Sequence, residues 1–207
     1  MAQILNGNEA GTWYDLFGDP QNDPAVVLVT GLGAQCVEQW DNPLCEQLAG
    51  RGYCVLRFDN RGVRGPAAAL EFTMKDLAKD ALSLVQRLKL RLPFHLVGAS
   101  MGGMIAQTLV LAAPQAVKTL TCVFSAAQGD FAPGDGLSAI LATSGQHDAA
   151  SRVALATILN NSTKYPLDVP RCTRAAEEAE RRSFNPLATA AQVKALATFG
   201  SGRSALR

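Results

Sequence analysis

A serine stands at the centre of the pattern Gly-x-Ser-x-Gly in the run Gly98-Ala99-Ser100-Met101-Gly102. An apolar run typical of a strand leads into this pattern, and a helix-like stretch of small residues follows it. A sharp strand-to-helix turn of this kind exposes a serine Oγ above a sheet, where it can act as a nucleophile, and side chains at Gly98 and Gly102 would clash with nearby backbone. A glycine-rich structural turn is the simpler alternative. The flanking strand and helix favour the nucleophile.

A serine nucleophile also needs N–H donors that stabilise the negative charge on the attacked carbonyl oxygen. Met101 offers one such N–H at a helix N-terminus. The turn Gly31-Leu32-Gly33 follows an apolar strand and offers the N–H of Leu32 as the second, since the flanking glycines allow close backbone approach. The same turn could begin a dinucleotide-binding loop, but Cys36 occupies the place of that motif's third glycine.

The acid and the base that would activate Ser100 are harder to find. The chain contains two histidines. His95 precedes Ser100 in the same strand and would lie about 16 Å from it. His147 follows Ser100, with Asp130 and Asp135 between them, and His147 and Asp130 are the candidates for base and acid. A histidine beside an aspartate in an exposed loop is the alternative interpretation of His147.

Composition limits the classes of partner. The chain has 207 residues and a formal net charge of +1, so it lacks the field that captures nucleic acid or anionic lipid. It shows no secretion signal and no apolar segment long enough to span a membrane, which predicts a cytoplasmic protein. Five cysteines without paired spacing predict reduced, mostly buried thiols, and no metal, nucleotide or other cofactor is expected. The expected partner is a small neutral or apolar molecule.

The elements that would position Ser100 alternate between apolar strands and amphipathic helices. Strands are predicted at 25–30, 53–58, 94–98 and 117–124, and helices at 37–49, 73–90 and 101–113. This order predicts an α/β fold with a doubly wound, mostly parallel sheet. Further helices are predicted at 149–160, 171–183 and 188–199. We therefore predict a core over 1–126, containing the turn at Ser100, and a helical cap region with a C-terminal tail over 127–207.

Several segments resemble α/β-hydrolases of the bacterial carboxylesterase and aclacinomycin-methylesterase-like type. The similar segments are FGDP at 17–20, TGLGAQ at 30–35, RFDNRG at 57–62, VGASMGGMIAQ at 97–107 and RSFNP at 182–186. The resemblance implies that Ser100 is the nucleophile and that Leu32 and Met101 supply the oxyanion donors. It also implies a mainly structural role for Asp59 and Arg61, as a buried loop pair.

The chain departs from these relatives at its C-terminus. In the family the order is serine, then acid, then histidine, and the last two follow further strands. The sequence therefore predicts a truncated core that lacks the last strands. It also predicts that the strand at 117–124 forms an uncovered sheet edge, through which the protein could form homo-oligomers.

Two functions follow from these patterns. The first is hydrolysis of carboxylic esters through an acyl-enzyme at Ser100, impaired by the absence of the usual acid and histidine. The second is a catalytically inactive hydrolase-like binding or scaffold protein, or a fragment of a longer one.

Overall fold

The computed structural model describes residues 4–9, 12–64, 71–127, 148–159, 162–182 and 185–199. The strands are β1 Ile4–Glu9, β2 Thr12–Phe17, β3 Ala25–Val29, β4 Cys54–Phe58, β5 Phe94–Ala99 and β6 Val117–Val123. The helices are α1 Cys36–Gln39, α2 Asn42–Ala49, α3 Met74–Arg87, α4 Met101–Ala112, α5 Ala149–Leu159, α6 Val169–Arg181 and α7 Pro186–Phe199, with a 3-10 turn at Pro114–Ala116.

The described strands form one sheet in the order β1-β2-β4-β3-β5-β6. The neighbouring strands β4, β3, β5 and β6 are parallel to one another, while β1 and β2 are antiparallel to their neighbours. Side chains of α3, α4 and α7 pack with one face of the sheet, and those of α2 pack with the other. The predicted α/β fold with a doubly wound, mostly parallel sheet is therefore confirmed.

The N-terminal hairpin of β1 and β2 is a part of the sheet that the sequence patterns do not predict. In β2 the apolar run is interrupted by Asp15, which is nevertheless buried because it pairs with Arg57 of β4 at 2.7 Å. Arg57 also donates to the carbonyl of Trp40 and to Oδ1 of Asn42. A buried charge in a strand removes the alternation from which strands are recognised.

The helix predicted at 37–49 is wrong as a single element, because Trp40 and Asp41 break it into α1 and α2. The side chain of Asp41 caps α2 by accepting the N–H of Leu44, and Pro43 lies in the first turn, where a missing N–H costs nothing. By contrast, α3 begins as predicted. Thr73 and Asp76 each accept the other's backbone N–H there.

The expected buried pair of Asp59 and Arg61 is also wrong. Arg61 is exposed and binds both carboxylate oxygens of Asp80 on α3. The buried Asp59 instead accepts the N–H of Cys36, with Arg64 at 3.7 Å. The resemblance implied the wrong arginine, because the chain turns at Asn60–Val63 and places Arg64 near Asp59 instead of Arg61.

Strand β6 lies at the edge of the described sheet, and most of its residues are exposed. This matches the predicted uncovered edge, whereas oligomer formation through it stays a prediction, as does the division of the chain at 126. The cysteines are free, and three of the five are buried, as expected. In the described residues no helix is long and apolar enough to cross a membrane.

Candidate active site

Ser100 lies between the end of β5 and the start of α4, in a backbone conformation that residues other than glycine rarely adopt. Its φ is 54° and its ψ is −122°. The Ser100 N–H donates to the Val123 carbonyl at 2.9 Å, and the Ser100 carbonyl accepts the Gly103 N–H at 2.9 Å and the Ser125 hydroxyl at 2.8 Å. Such strain costs about 1–3 kcal/mol and persists only where the surroundings fix it. Three hydrogen bonds fix it here.

The glycines of the turn allow backbone segments to approach more closely than a Cβ would permit. A Cβ at Gly98 would lie 2.2 Å from the Gly102 oxygen, and a Cβ at Gly102 would lie 2.1 Å from the Val29 oxygen. The second approach places the start of α4 directly against the end of β3. The turn at Ser100 and the loop that follows β3 are therefore adjacent.

That loop, Gly31 to Gly33, lies beside the serine. A Cβ at Gly31 would be 3.3 Å from the Cβ of Ser100. The side chain of Leu32 is buried, and Gly33 has a positive φ of 69°. Across the part of the chain that the structure describes, the N–H groups of Leu32 and Met101 have no hydrogen-bond acceptor. Two unused backbone donors thus flank Ser100, one from each neighbouring segment.

Three carboxamide side chains hold this loop and the preceding Thr30, and they come from α1, from α7 and from the segment after β4. Gln39 of α1 accepts the Gly31 N–H at 2.6 Å, and Gln192 of α7 accepts the Gly33 N–H at 2.8 Å. Asn60 donates to the Thr30 carbonyl at 2.8 Å. Sequence reasoning missed all three, since nothing in a lone glutamine or asparagine marks a partner so distant in the chain.

The histidine in the described part of the chain, His95, is structural. Its Nδ1 lies 2.8 Å from the Thr119 hydroxyl on the neighbouring strand, and its ring makes an edge contact with Tyr53. The other candidates for base and acid, His147 and Asp130, lie outside the described residues.

Asp59 is a buried carboxylate near the loop. Burial raises its pKa, while hydrogen bonds from the backbone and side chain of Cys36 and the charges of Arg64 and Arg182 act against that rise. One of its oxygens, Oδ2, has no hydrogen-bond partner among the described residues. The neighbouring Cys36 thiol has its pKa raised by its own burial and by the charge of Asp59, which makes it unsuited to act as a thiolate.

Comparison with known proteins gives a consistent result. A family model described as alpha/beta hydrolase fold matches residues 24–192. Rhodomycin D methylesterase of Streptomyces sp. (strain C5) is 32% identical over 130 residues, which is 60% of this chain and 42% of that protein. The putative non-heme bromoperoxidase of Mycobacterium tuberculosis strain H37Rv is 27% identical over 81% of this chain and 56% of its own. The chain thus spans only about half the length of these relatives.

Solved structures share the fold at lower identity. The 2-hydroxy-6-oxo-6-phenylhexa-2,4-dienoate hydrolase from Rhodococcus sp. strain RHA1 superposes with a TM-score of 0.70 at 21% identity. That superposition covers 100% of this chain and 74% of the hydrolase. At this level of identity the likeness concerns the fold alone.

Proposed function

The chain belongs to the α/β-hydrolase fold family, and we propose that it is a serine hydrolase that cleaves carboxylic esters through an acyl-enzyme at Ser100. One observation carries the proposal. Ser100 is held in a strained turn, with the unused N–H groups of Leu32 and Met101 on the two adjacent segments. A nucleophile with two backbone donors beside it is the arrangement that acyl transfer requires.

In the proposed reaction Ser100 Oγ attacks the acyl carbonyl carbon and gives up its proton. The carbonyl oxygen becomes an oxyanion, to which Leu32 and Met101 donate their N–H groups, and the positive end of α4 adds to the stabilisation. Collapse of this intermediate expels the alcohol and leaves the acyl group on Ser100. Water then releases the acid by the same steps. The strained backbone holds Oγ in place, so that no ordering of the turn is needed on binding.

Asp130 and His147 remain the proposed acid and base. Their order after Ser100 fits the order in the family. In this role His147 takes the Ser100 proton during attack and returns it to the leaving alcohol. Replacing His147 by Ala lowers hydrolysis about 100-fold or more if the assignment is right, and leaves it unchanged if it is wrong.

The proposed substrate is a small neutral or apolar ester. The methylesterase among the relatives supports an ester, and the apolar Leu32 in the loop beside Ser100 supports an uncharged acyl group. Among the described residues, the side chains that contact the turn and the loop include those of Gln39, Thr189 and Ser125, which are uncharged and offer no ion pair to an ionic substrate.

Hydrolysis of short p-nitrophenyl esters tests the assignment. Ser100→Ala is expected to abolish hydrolysis, while Ser83→Ala, a matched change in α3, leaves it intact. Equal activity of wild type and Ser100→Ala would overturn the proposal. A folded wild-type protein without any hydrolysis would favour a binding protein instead.

A further inference from the structure

The residues of the loop from Gly31 to Gly33 do not by themselves fix the conformation of its backbone. Glycine has the greatest conformational freedom of any residue, and here two glycines flank the proposed donor Leu32. Rotation of either neighbouring peptide plane would carry the Leu32 N–H away from the oxyanion. Contacts outside the loop must therefore select the one conformation that is useful.

Gln39 and Gln192 make those contacts on opposite sides of Leu32. The Gln39 oxygen accepts the N–H before it, at Gly31, and the Gln192 oxygen accepts the N–H after it, at Gly33. Gln192 is fully buried. One turn earlier on α7, the buried Thr189 lies against Gly33, where a Cβ would be 3.1 Å from its hydroxyl.

We propose that Gln39 and Gln192 are positioning residues for the oxyanion hole. They occupy the N–H groups of Gly31 and Gly33, fix the two peptide planes around Leu32, and leave the Leu32 N–H as the free donor of the loop. Neither side chain touches the reacting atoms. The inference rests on the proposed function and adds that α7, far along the chain, helps to form the hole.

The surroundings of Gln192 allow its bond to Gly33 to be removed without a large loss of stability, so a positioning role can be tested apart from a structural one. Its Nε2 is buried and has no acceptor among the described residues, so the side chain carries an unsatisfied donor. An apolar side chain of similar length removes that unfavourable group together with the bond to Gly33. Gly33 itself is half-buried. Gln192→Met is thus expected to fold with nearly unchanged stability.

The experiment compares Gln192→Met and Gln39→Met with two controls. Leu196→Met places a methionine on the same buried face of α7, and Gln47→Met makes the same chemical change on the exposed side of α2. For each variant, kcat and KM are measured with p-nitrophenyl butyrate, together with the Kd of an aryl trifluoromethyl ketone. Ser100 Oγ adds to the carbonyl carbon of the ketone, and the adduct carries an oxyanion. The Kd of the ketone therefore measures how well the oxyanion hole stabilises that charge.

Both glutamine variants are expected to lower kcat by about 10- to 100-fold with KM changed by less than about twofold. The Kd of the ketone is expected to rise by the same factor as kcat falls, and the controls are expected to stay within about twofold of wild type. Thermal unfolding checks that each variant is folded. If a methionine variant does not fold, Asn at that position, one methylene too short to reach the loop, replaces it with the same expected result.

Two failures can be told apart. Activity in wild type, with kcat and ketone affinity unchanged in both folded glutamine variants, would overturn this inference alone. Absence of ester hydrolysis and of ketone binding in folded wild type would overturn the proposed function, and this inference with it.

Discussion

The α-carbon of Gly102 packs against the carbonyl of Val29, so closely that a Cβ at position 102 would fall 2.1 Å from the Val29 oxygen. This contact joins the first turn of α4 to the end of β3. It fixes the distance between the turn that carries Ser100 and the loop that carries Leu32. The candidate site is thus assembled by backbone contact before any side chain contributes.

Gly102→Ala is expected to lower the free energy of unfolding by about 3 kcal/mol or more, because the backbone atoms it would strike cannot move aside cheaply. Gly52→Ala is the matched control. Gly52 has a φ of 84°, and a Cβ there would meet nothing within 4 Å, so only backbone strain of about 1–2 kcal/mol is expected. Urea unfolding measures both. Equal losses in the two variants would contradict the contact described.

Arg57 is expected to be the most sensitive charged residue of the core. It is fully buried and pairs with Asp15 at 2.7 Å, so Arg57→Met leaves a buried carboxylate short of a partner and is expected to cost about 3–5 kcal/mol. Adding Asp15→Asn to that variant is expected to recover part of the loss. If the free energy of unfolding of Arg57→Met alone lies within about 1 kcal/mol of wild type in urea, the pair does not contribute to stability as described.

The raised pKa of Asp59 makes the free energy of unfolding depend on pH, and the direction of the shift sets the sign of that dependence. Its pKa in the folded state is raised by burial above the value of about 3.9 in an unfolded chain. Between these two values the folded state binds more protons than the unfolded state, so this residue's contribution to stability falls as pH rises. Asp59→Asn keeps an acceptor for the Cys36 N–H and does not titrate. Relative to wild type, the variant is therefore expected to become more stable from pH 4 to pH 7.

Asp76 provides the control of opposite sign. Hydrogen bonds from Thr73 lower its pKa, so its contribution is present above the unfolded value and is lost as pH falls through the folded one. Asp76→Asn is expected to become less stable relative to wild type as pH rises through the unfolded value, from about pH 2.5 to about pH 5. Urea unfolding across each variant's pH range measures the two trends. The same trend in both variants would contradict the assignment for Asp59.

The edge strand β6 predicts self-association through a second copy of the chain. Its residues from Lys118 to Cys122 are exposed, and Leu120 and Phe124 add apolar surface at 39% and 72% exposure. An unpaired strand edge pairs readily with an identical edge in antiparallel fashion. Sedimentation velocity is expected to show a concentration-dependent dimer that Leu120→Lys weakens. A monomer at all concentrations in wild type would contradict the prediction.

The parts of the fold that local sequence encodes are those that could be predicted. Strand β3 is a continuous apolar run, β4 to β6 are rich in apolar and β-branched residues, and the cap of α3 lies within four residues, from Thr73 to Asp76. Long-range pairings were not predictable in this way. Asp15 is buried in β2 because two distant arginines, Arg57 on β4 and Arg182 after α6, both pair with its carboxylate.

In the candidate site, too, local sequence predicts some features, and long-range contacts create others that it does not predict. Gly98 and Gly102 stand beside Ser100 in the sequence, and their spacing alone suggests a turn. Gln192 reaches Gly33 from the last described helix, and its role follows from tertiary packing that no local pattern reports.

Labelling by a fluorophosphonate tests the central claim most directly, because phosphonylation requires an activated serine hydroxyl beside an oxyanion hole. The folded protein is incubated with the probe, and the modified peptide is identified by mass spectrometry, with Ser100→Ala as the control. We expect one adduct per chain, located on Ser100, and none in Ser100→Ala. A folded wild-type protein that takes no label, or takes it equally in Ser100→Ala, would contradict the account.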